Sequence, residues 1–228
     1  MKYKNPFLTL SKFELSLWLC SSAVIILSFF LSAGSGIAET IASPIGVTAL
    51  IFVAKGYVIG QVLCVIFALL YGIISFHFRY YGEMITYIFM SAPAAVASII
   101  SWIKHPYKET KVVEISRLSK AKLIIMFPLT AAVTAAFYFI LAYLDTANLI
   151  ISTISVTTSF AASYLLFFRS PYYALVYSSN DIVLIVLWIL ASIKNISYLP
   201  MVFCFVMFLA NDIYGFVNWK RMEKGQME

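Results

Sequence analysis

Two Asn-Asp pairs stand out because each lies inside an apolar run in which charge is otherwise scarce. They are Asn180-Asp181 and Asn211-Asp212, and isoleucine follows both. A charged side chain inside a bilayer is costly unless it faces a cavity or a partner. An amide beside a carboxyl group can hydrogen-bond the hydroxyl groups of a sugar or hold a cation. Both pairs are therefore candidate contacts for a small polar solute.

Aromatic residues share a helical face with the first pair. Offsets of 4, 7, 8, 11 and 15 place six residues on one stripe: Tyr173, Tyr177, Asn180, Asp181, Leu184 and Trp188. A flat ring could stack on the aromatic side chains, and a cationic ring would also be attracted by the acid. We predict substrate contacts at Tyr173, Tyr177, Asn180 and Asp181. Alternatively, the tyrosines belong to an interfacial aromatic belt and Asp181 holds a helix contact.

The last apolar run supplies further candidates. Asn211 and Tyr214 lie on one face with Gly215, and Asp212 lies alongside. Gly215 would allow a helix or a ligand to approach closely. We predict substrate contacts at Asn211, Asp212 and Tyr214, although Asn211 and Asp212 could equally hold helices together.

Two more polar positions complete the predicted site. Gln61 begins a stripe on the third apolar run and is a candidate hydrogen-bond donor. Thr157 lies in a hydroxyl-rich run, on a face shared with Thr153 and Tyr164 that is predicted to point into the bundle. Serine and threonine also bond to the carbonyls of their own helix, so each hydroxyl could instead be structural.

The composition predicts that lipid surrounds the elements carrying these residues. Charged residues make up 11% of the 228-residue chain, against about 25% in soluble domains. The mean hydropathy is +0.93. Three scattered cysteines without a CxxC pair favour neither a disulfide framework nor a zinc site. No phosphate-binding GxxxxGK[ST] loop and no hydrolase motif is present, so neither an enzyme nor an ATP-driven machine is predicted. No cofactor or metal is expected.

Eight apolar runs predict an all-α integral membrane protein with eight transmembrane helices. They cover residues 15–33, 41–53, 57–76, 83–103, 123–143, 149–168, 172–193 and 198–219. The second run is short, and Pro44 and Gly46 interrupt its start. The first run exceeds the length of a signal-peptide core, so we expect a helix rather than a cleaved leader.

Basic residues predict the orientation of these helices. With the N-terminus inside, 14 of the 16 lysines and arginines fall on the cytoplasmic side, and only Arg79 and Lys194 fall outside. The inner set begins with Lys2 and Lys4. Both termini are therefore predicted to be cytoplasmic, and the basic loop 104–122 could touch anionic lipid headgroups.

An internal repeat predicts the arrangement of the bundle. Tyr81, Met84, Met90 and Trp102 recur 117 residues later as Tyr198, Met201, Met207 and Trp219. Residues 1–40 would form the N-terminus and an extra helix, and residues 41–228 the transporter core. The core would contain a first repeat at 41–103, a linker helix at 123–143 and a second repeat at 149–219. This 3+1+3 order makes the repeats parallel, an arrangement typical of small-solute carriers.

Three segments resemble the PnuC family of vitamin transporters. They read LIFVAKG at 50–56, YGEM at 81–84 and NDIYGFVNW at 211–219. The resemblance implies uptake of nicotinamide riboside, a ribosylated pyridinium cation, by facilitated diffusion through the bacterial inner membrane. It also implies trapping by a cytoplasmic riboside kinase and a homo-oligomer such as a trimer. No nucleic-acid partner is expected.

The chain departs from the family pattern at positions that help line the family's site. Tyr173 and Val176 precede Asn180 where tryptophans are common, and Phe67 stands where many members have asparagine. Another vitamin or nucleoside, such as thiamine or a deoxynucleoside, therefore stays an alternative substrate. So does a role as the substrate-capture subunit of an energised importer. Coupling to protons or sodium through Asp181 or Asp212 stays open.

Overall fold

The computed structural model describes residues 5–31, 37–77 and 81–228. Within those residues it contains eight long helices: α1 (Lys12–Leu31), α2 (Ile37–Ala54), α3 (Val58–His77), α4 (Tyr81–Lys104), α5 (Lys120–Tyr143), α6 (Leu149–Phe167), α7 (Tyr173–Lys194) and α8 (Leu199–Met227). Three residues of the orientation argument, Lys2, Lys4 and Arg79, lie outside the described part of the chain.

The helices match the predicted apolar runs. Seven of them are long and apolar enough to cross a membrane, and α2 contributes a shorter apolar segment, Ile41–Ala54. This confirms the all-helical membrane fold. The prediction for α2 was wrong in one respect, because the helix begins at Ile37 and continues through Pro44. Proline is tolerated in membrane helices because neighbouring groups satisfy the freed backbone atoms.

Helix α4 contains a π-helical segment, Thr86–Ser91, immediately before Pro93. The N–H of Ala92 donates to the carbonyl of Tyr87, five residues earlier, instead of the usual four. Pro93 has no N–H to offer the carbonyl of Phe89, so the regular ladder is already interrupted at this level. The wider turn carries Tyr87 and Ser91 to the centre of the bundle, where both line a cavity.

Two pairs of hydrogen bonds join the halves of the bundle reciprocally, and we call them the clasp. Ser101 and Trp102, at the end of α4, donate to the carbonyls of Phe167 and Leu166 at 2.8 and 3.3 Å. Asn218 and Trp219 of α8 donate to the carbonyls of Ala54 and Val53 at 2.8 and 2.9 Å. The last helix of each predicted repeat thus bonds to the end of the first helix of the other.

The turns that follow the clasp acceptors also match. Gly56 and Arg169 both have positive φ angles, of 70° and 59°. Their backbone N–H groups donate to the carbonyls of Val53 and Leu166, each at 2.9 Å. Matching turns and reciprocal bonds support the parallel duplication, which stays a prediction.

Helix α1 is more closely integrated than the predicted extra helix. It begins with a capping box in which Ser11 and Glu14 accept from each other's backbone N–H. Glu14 is buried, pairs at 2.9 Å with Lys55, the residue after α2, and accepts from the hydroxyl of Tyr214 on α8 at 2.7 Å. Polar contacts thus fix α1 to the bundle, and its role as an extra helix outside the two repeats stays a prediction.

Helix α5, in contrast to α1, buries little of its surface in the bundle. Leu141 is its one buried residue, and the helix packs mainly against α6.

Helix α8 extends eight residues past the predicted end at Trp219. Its final turns hold the basic loop, since Gln226 accepts from the N–H of Ile115 and donates to the carbonyl of Val113.

Candidate substrate-binding site

A cavity of about 110 Å³ lies at the centre of the bundle, between α2, α3, α4, α6, α7 and α8. Ligand pockets commonly measure about 300–1,000 Å³. Side chains or helices must therefore move apart before a ligand of nucleoside size can fit. Such a movement is what a carrier needs to open its site to either side.

Helix α7 lines one side of the cavity with the predicted stripe. Tyr173, Tyr177, Asn180, Asp181 and Leu184 all border it. Trp188, the sixth member of the stripe, lines a separate small cavity instead. The stripe was predictable because α7 is regular and keeps its 3.6-residue period along this length.

Asn180 is held in one orientation by two hydroxyl groups of α6. Ser155 and Thr158 both donate to its Oδ1 atom, at 3.2 and 2.8 Å. With the carbonyl oxygen occupied in this way, the amide N–H groups remain for the cavity that Asn180 lines. The arrangement makes Asn180 a fixed hydrogen-bond donor.

Two buried carboxyl groups meet at the cavity wall. Asp181 of α7 and Asp212 of α8 are each 4% exposed and lie close enough to interact electrostatically. Two ionised carboxylates in this position would repel each other. The Oδ2 atom of Asp181 has no hydrogen-bond partner.

Other polar atoms at the cavity also lack partners. Gln61 is fully buried, and neither its Oε1 nor its Nε2 makes a hydrogen bond. Ser98 of α4 is 1% exposed, and its hydroxyl is likewise unpaired. A buried polar group without a hydrogen bond costs free energy. Gln61, Ser98 and Asp181 thus present unmet donors and acceptors to one cavity, as a site for a polar ligand would.

Aromatic rings enclose the same space. Phe67 of α3 lies 5.6 Å from Phe208 and 6.1 Å from Tyr87, measured between ring centroids, and all three border the cavity. Nearer the clasp, the ring of Tyr173 lies 4.6 Å from that of Trp219. Tyr177 shares a hydrogen bond of 2.7 Å with Ser163, which fixes its hydroxyl. Rings and unpaired polar groups together suit a ligand with a flat ring and hydroxyls.

Comparison with known proteins decides the family. Residues 36–221 match the family described as "Nicotinamide mononucleotide transporter", which is well over half of the chain. The chain belongs to the nicotinamide mononucleotide transporter family. This confirms the resemblance to PnuC proteins, and the family and fold indicate a multi-pass membrane transporter rather than an enzyme.

Two relatives extend the comparison. The nicotinamide riboside transporter PnuC of Neisseria mucosa is 26% identical over 190 residues, covering 81% of this chain and 72% of the relative. A solved structure described as the crystal structure of the vitamin B3 transporter PnuC is similar with a TM-score of 0.81 at 25% identity. That similarity covers 95% of this chain and 94% of the solved one.

In this member of the nicotinamide mononucleotide transporter family, Thr157 lies outside the central cavity. It bonds to Thr134 of α5 at 2.9 Å and to the carbonyl of Thr153 at 2.8 Å. Tyr164, on the same face, donates to the carbonyl of Lys122. The prediction that this face of α6 points into the bundle was wrong, because it packs against α5. Ser155 and Thr158 contact α7 instead, and Ser159 and Ser163 line the cavity.

Asn211 and Tyr214 also point elsewhere. Asn211 donates to Ser21 of α1 at 3.0 Å and to the carbonyl of Met207 at 2.7 Å. Tyr214 donates to Glu14. Both side chains are engaged by α1, so we withdraw them, with Thr157, from the proposed site. Gln61, Tyr173, Tyr177, Asn180, Asp181 and Asp212 border the cavity and stay predicted contacts.

Sequence reasoning missed Tyr87, Ser98, Ser155 and Thr158. The π-helical segment shifts the register of α4, so a regular helical period does not indicate the inward position of Tyr87. Ser155 and Thr158 could have been found only by pairing them with Asn180, because hydroxyls occur on every side of α6.

The cavity is a poor metal site. Its lining supplies two carboxyl groups, whereas bound calcium or zinc takes four or more ligands. Across the described ranges, no group of three or more His, Cys, Asp or Glu side chains could hold a metal ion.

Proposed function

We propose that this chain carries nicotinamide riboside across the bacterial inner membrane by facilitated diffusion. The observation that carries the proposal is the central cavity, where unpaired polar atoms of Gln61, Ser98 and Asp181 lie beside aromatic rings. The name of the Neisseria relative, a nicotinamide riboside transporter, supports the same substrate.

The charge of the cavity lining favours nicotinamide riboside over nicotinamide mononucleotide, the compound that the family's description names. The mononucleotide carries a phosphate, which needs cationic or N–H donors. The described cavity lining contains Asp181 and Asp212 but no lysine, arginine or histidine. A phosphate would find no described cationic partner in this medium of low dielectric constant, whereas either carboxyl group can ionise to compensate the charge of a pyridinium ring.

The proposed contacts divide by chemistry. The pyridinium ring stacks among Tyr177, Tyr87 and Phe67, close to the carboxyl pair. The ribose hydroxyls bond to the amide N–H groups of Asn180 and to both ends of Gln61. Each contact uses a group that borders the cavity and, for Gln61, one that has no other partner.

Transport would follow from movement of the two predicted repeats, 41–103 and 149–219, about the central site. The sequence has no GxxxxGK[ST] loop, so the proposal includes no step in which this chain hydrolyses ATP. Both termini would be cytoplasmic, and a cytoplasmic kinase would trap the riboside as its charged mononucleotide.

The protein is also proposed to form a homo-oligomer, such as a trimer. Helix α5 exposes large apolar side chains along its length, including Ile124, Phe127 and Phe139. The hydroxyl of Thr130, on the same helix, is buried without a partner in a groove between α5 and α6. A second copy could cover this face.

Thiamine is the second candidate substrate. It also has a cationic ring, so the carboxyl pair and the aromatic rings would suit it. Tyr173 and Val176 stand where tryptophans are common in the family. The side of the site that would bind a ring therefore differs from the family pattern.

Uptake into liposomes tests the proposal. Purified protein alone, without ATP, should accumulate labelled nicotinamide riboside up to equilibrium, and excess mononucleotide should not compete. Competition by unlabelled thiamine would reveal the second candidate. Thr157→Ala is a matched control, since this hydroxyl lies on α6 but faces α5. Folded protein that transports nothing until an energising complex is added would instead identify a substrate-capture subunit.

A further inference from the structure

Among the described residues, no cationic side chain pairs with Asp181 or Asp212. The two carboxyl groups are buried, line the same cavity and lie close enough to interact electrostatically. Within the described part of the chain, the ion pairs join other acids, namely Glu14, Glu114 and Glu223. No described lysine or arginine therefore compensates the charge of this pair.

The titratable groups around the pair are weak acids. Cys64 faces it from α3, Tyr87 from α4, Tyr173 and Tyr177 from α7 and Cys204 from α8. The cavity residues of α2 and α6 contribute apolar and hydroxyl side chains without a titratable group. None of these described neighbours can supply a positive charge to the pair.

An uncompensated carboxylate in a buried site costs far more than the neutral acid. The empty pair therefore holds protons. A pyridinium ring brings a positive charge that no pH change can remove. Once that charge lies beside the carboxyl groups, it compensates one carboxylate directly, and the proton on that group becomes redundant.

We infer that the Asp181–Asp212 pair exchanges one proton for the fixed positive charge of a cationic substrate. The O–H bond of one carboxyl group breaks, its electron pair stays on the carboxylate, and the proton passes to bulk water. The net charge of the cavity is the same before and after binding. A neutral ligand leaves the proton in place. The inference rests on the proposed function, because it takes a pyridinium riboside as the substrate.

Calorimetry on the purified full chain tests this exchange. Nicotinamide riboside and its uncharged 1,4-dihydro form would be titrated at one pH in phosphate and in Tris, whose ionisation enthalpies differ. The buffer dependence of the heat should give about one proton released per cationic riboside and none for the dihydro form. Affinity for the cation should rise about tenfold per pH unit over the range in which the pair is protonated. A cation that binds without releasing a proton would overturn the inference.

Two variants assign the proton to the pair. The double variant Asp181→Asn/Asp212→Asn keeps hydrogen-bonding groups but has no proton to release, so its release should be zero. Glu83→Gln is the matched control, because Glu83 is buried but lines a separate cavity. Its release should stay at about one. Proton release that persists in the double variant, or disappears in Glu83→Gln, would show that the proton comes from another group and would refute the assignment.

The outcomes separate the two proposals. If the double variant fails to fold or bind, the contrast between cation and dihydro form in the unaltered protein still decides. If neither ligand binds to folded protein, the proposed function fails and the exchange fails with it. If both bind without proton release, only the exchange fails.

Discussion

The two halves of the bundle are alike at the clasp and different at the cavity. In each half an indole and a neighbouring polar side chain donate to the end of the opposite half's first helix. At the cavity, the second helices of the two predicted repeats differ. Helix α3 borders the cavity with Phe67 and Ala68, whereas α7 borders it with Asn180 and Asp181.

This difference separates architecture from function. The clasp uses the same chemistry twice, so it serves the shared fold. At the cavity, the first half contributes a ring and a methyl group where the second contributes an amide and a carboxyl group. Polarity is therefore concentrated in the second half, and Gln61 and Ser98 are the first half's unpaired polar contributions.

The largest effect should come from the second half. Asp181→Ala removes half of the carboxyl pair and Asn180→Ala removes the fixed donor, and each should lower riboside uptake about 100-fold. Losing a hydrogen bond to a charged or buried group costs about 2–3 kcal/mol, which supports that magnitude. Initial uptake rates in liposomes at equal protein content provide the measurement. Rates within threefold of the unaltered protein would remove these residues from the site.

Gln61→Leu should produce opposite effects on stability and transport. The substitution removes two buried, unpaired polar atoms, so the empty protein should be stabilised by about 1–3 kcal/mol. Riboside uptake should fall about 30-fold because the ribose loses its partners. Thermal unfolding in detergent and liposome uptake measure the two effects. Lower stability together with unchanged uptake would indicate that Gln61 is a structural residue.

Substitutions in the clasp should lower the stability equally in both halves. Trp102→Phe and Trp219→Phe each leave a carbonyl without its indole donor, and each should cost about 1–2 kcal/mol of stability. The two losses of stability, measured by thermal unfolding, should agree within about 0.5 kcal/mol, because each variant removes one indole N–H donor from a carbonyl. A large difference would contradict the equivalence of the two ends.

The smallest effect should come from removing a hydroxyl group that orients Asn180. Thr158→Val keeps the shape of the side chain but removes one of the two donors to Oδ1. The amide becomes less firmly oriented, and riboside affinity should fall about threefold, or about 0.6 kcal/mol. Calorimetry measures the riboside affinity. Thr157→Val is the control, because the neighbouring Thr157 faces α5. Equal losses in both variants would argue against an orienting role.

Much of the fold was predictable because lipid imposes simple rules on length and polarity. The apolar runs indicated all eight helices, and the regular period of α7 brought Tyr177, Asn180 and Asp181 to one cavity. The faces of α6 and α8 were harder to predict. Hydroxyls surround α6, and α8 directs Asn211 and Tyr214 toward polar residues of α1. Those partners, Ser21 and Glu14, lie about 190 and 200 residues away in the sequence, so no local pattern could identify them.

The anchoring of α1 also constrains how the chain is made. Lys55 leaves the ribosome one helix after Glu14, so their ion pair can neutralise the acid soon after α1 is inserted. Tyr214 follows Glu14 by 200 residues. The hydrogen bond between α1 and α8 can therefore form only after the intervening helices have been synthesised. Expression of a shortened gene lacking α1 would leave Lys55 without its counter-ion.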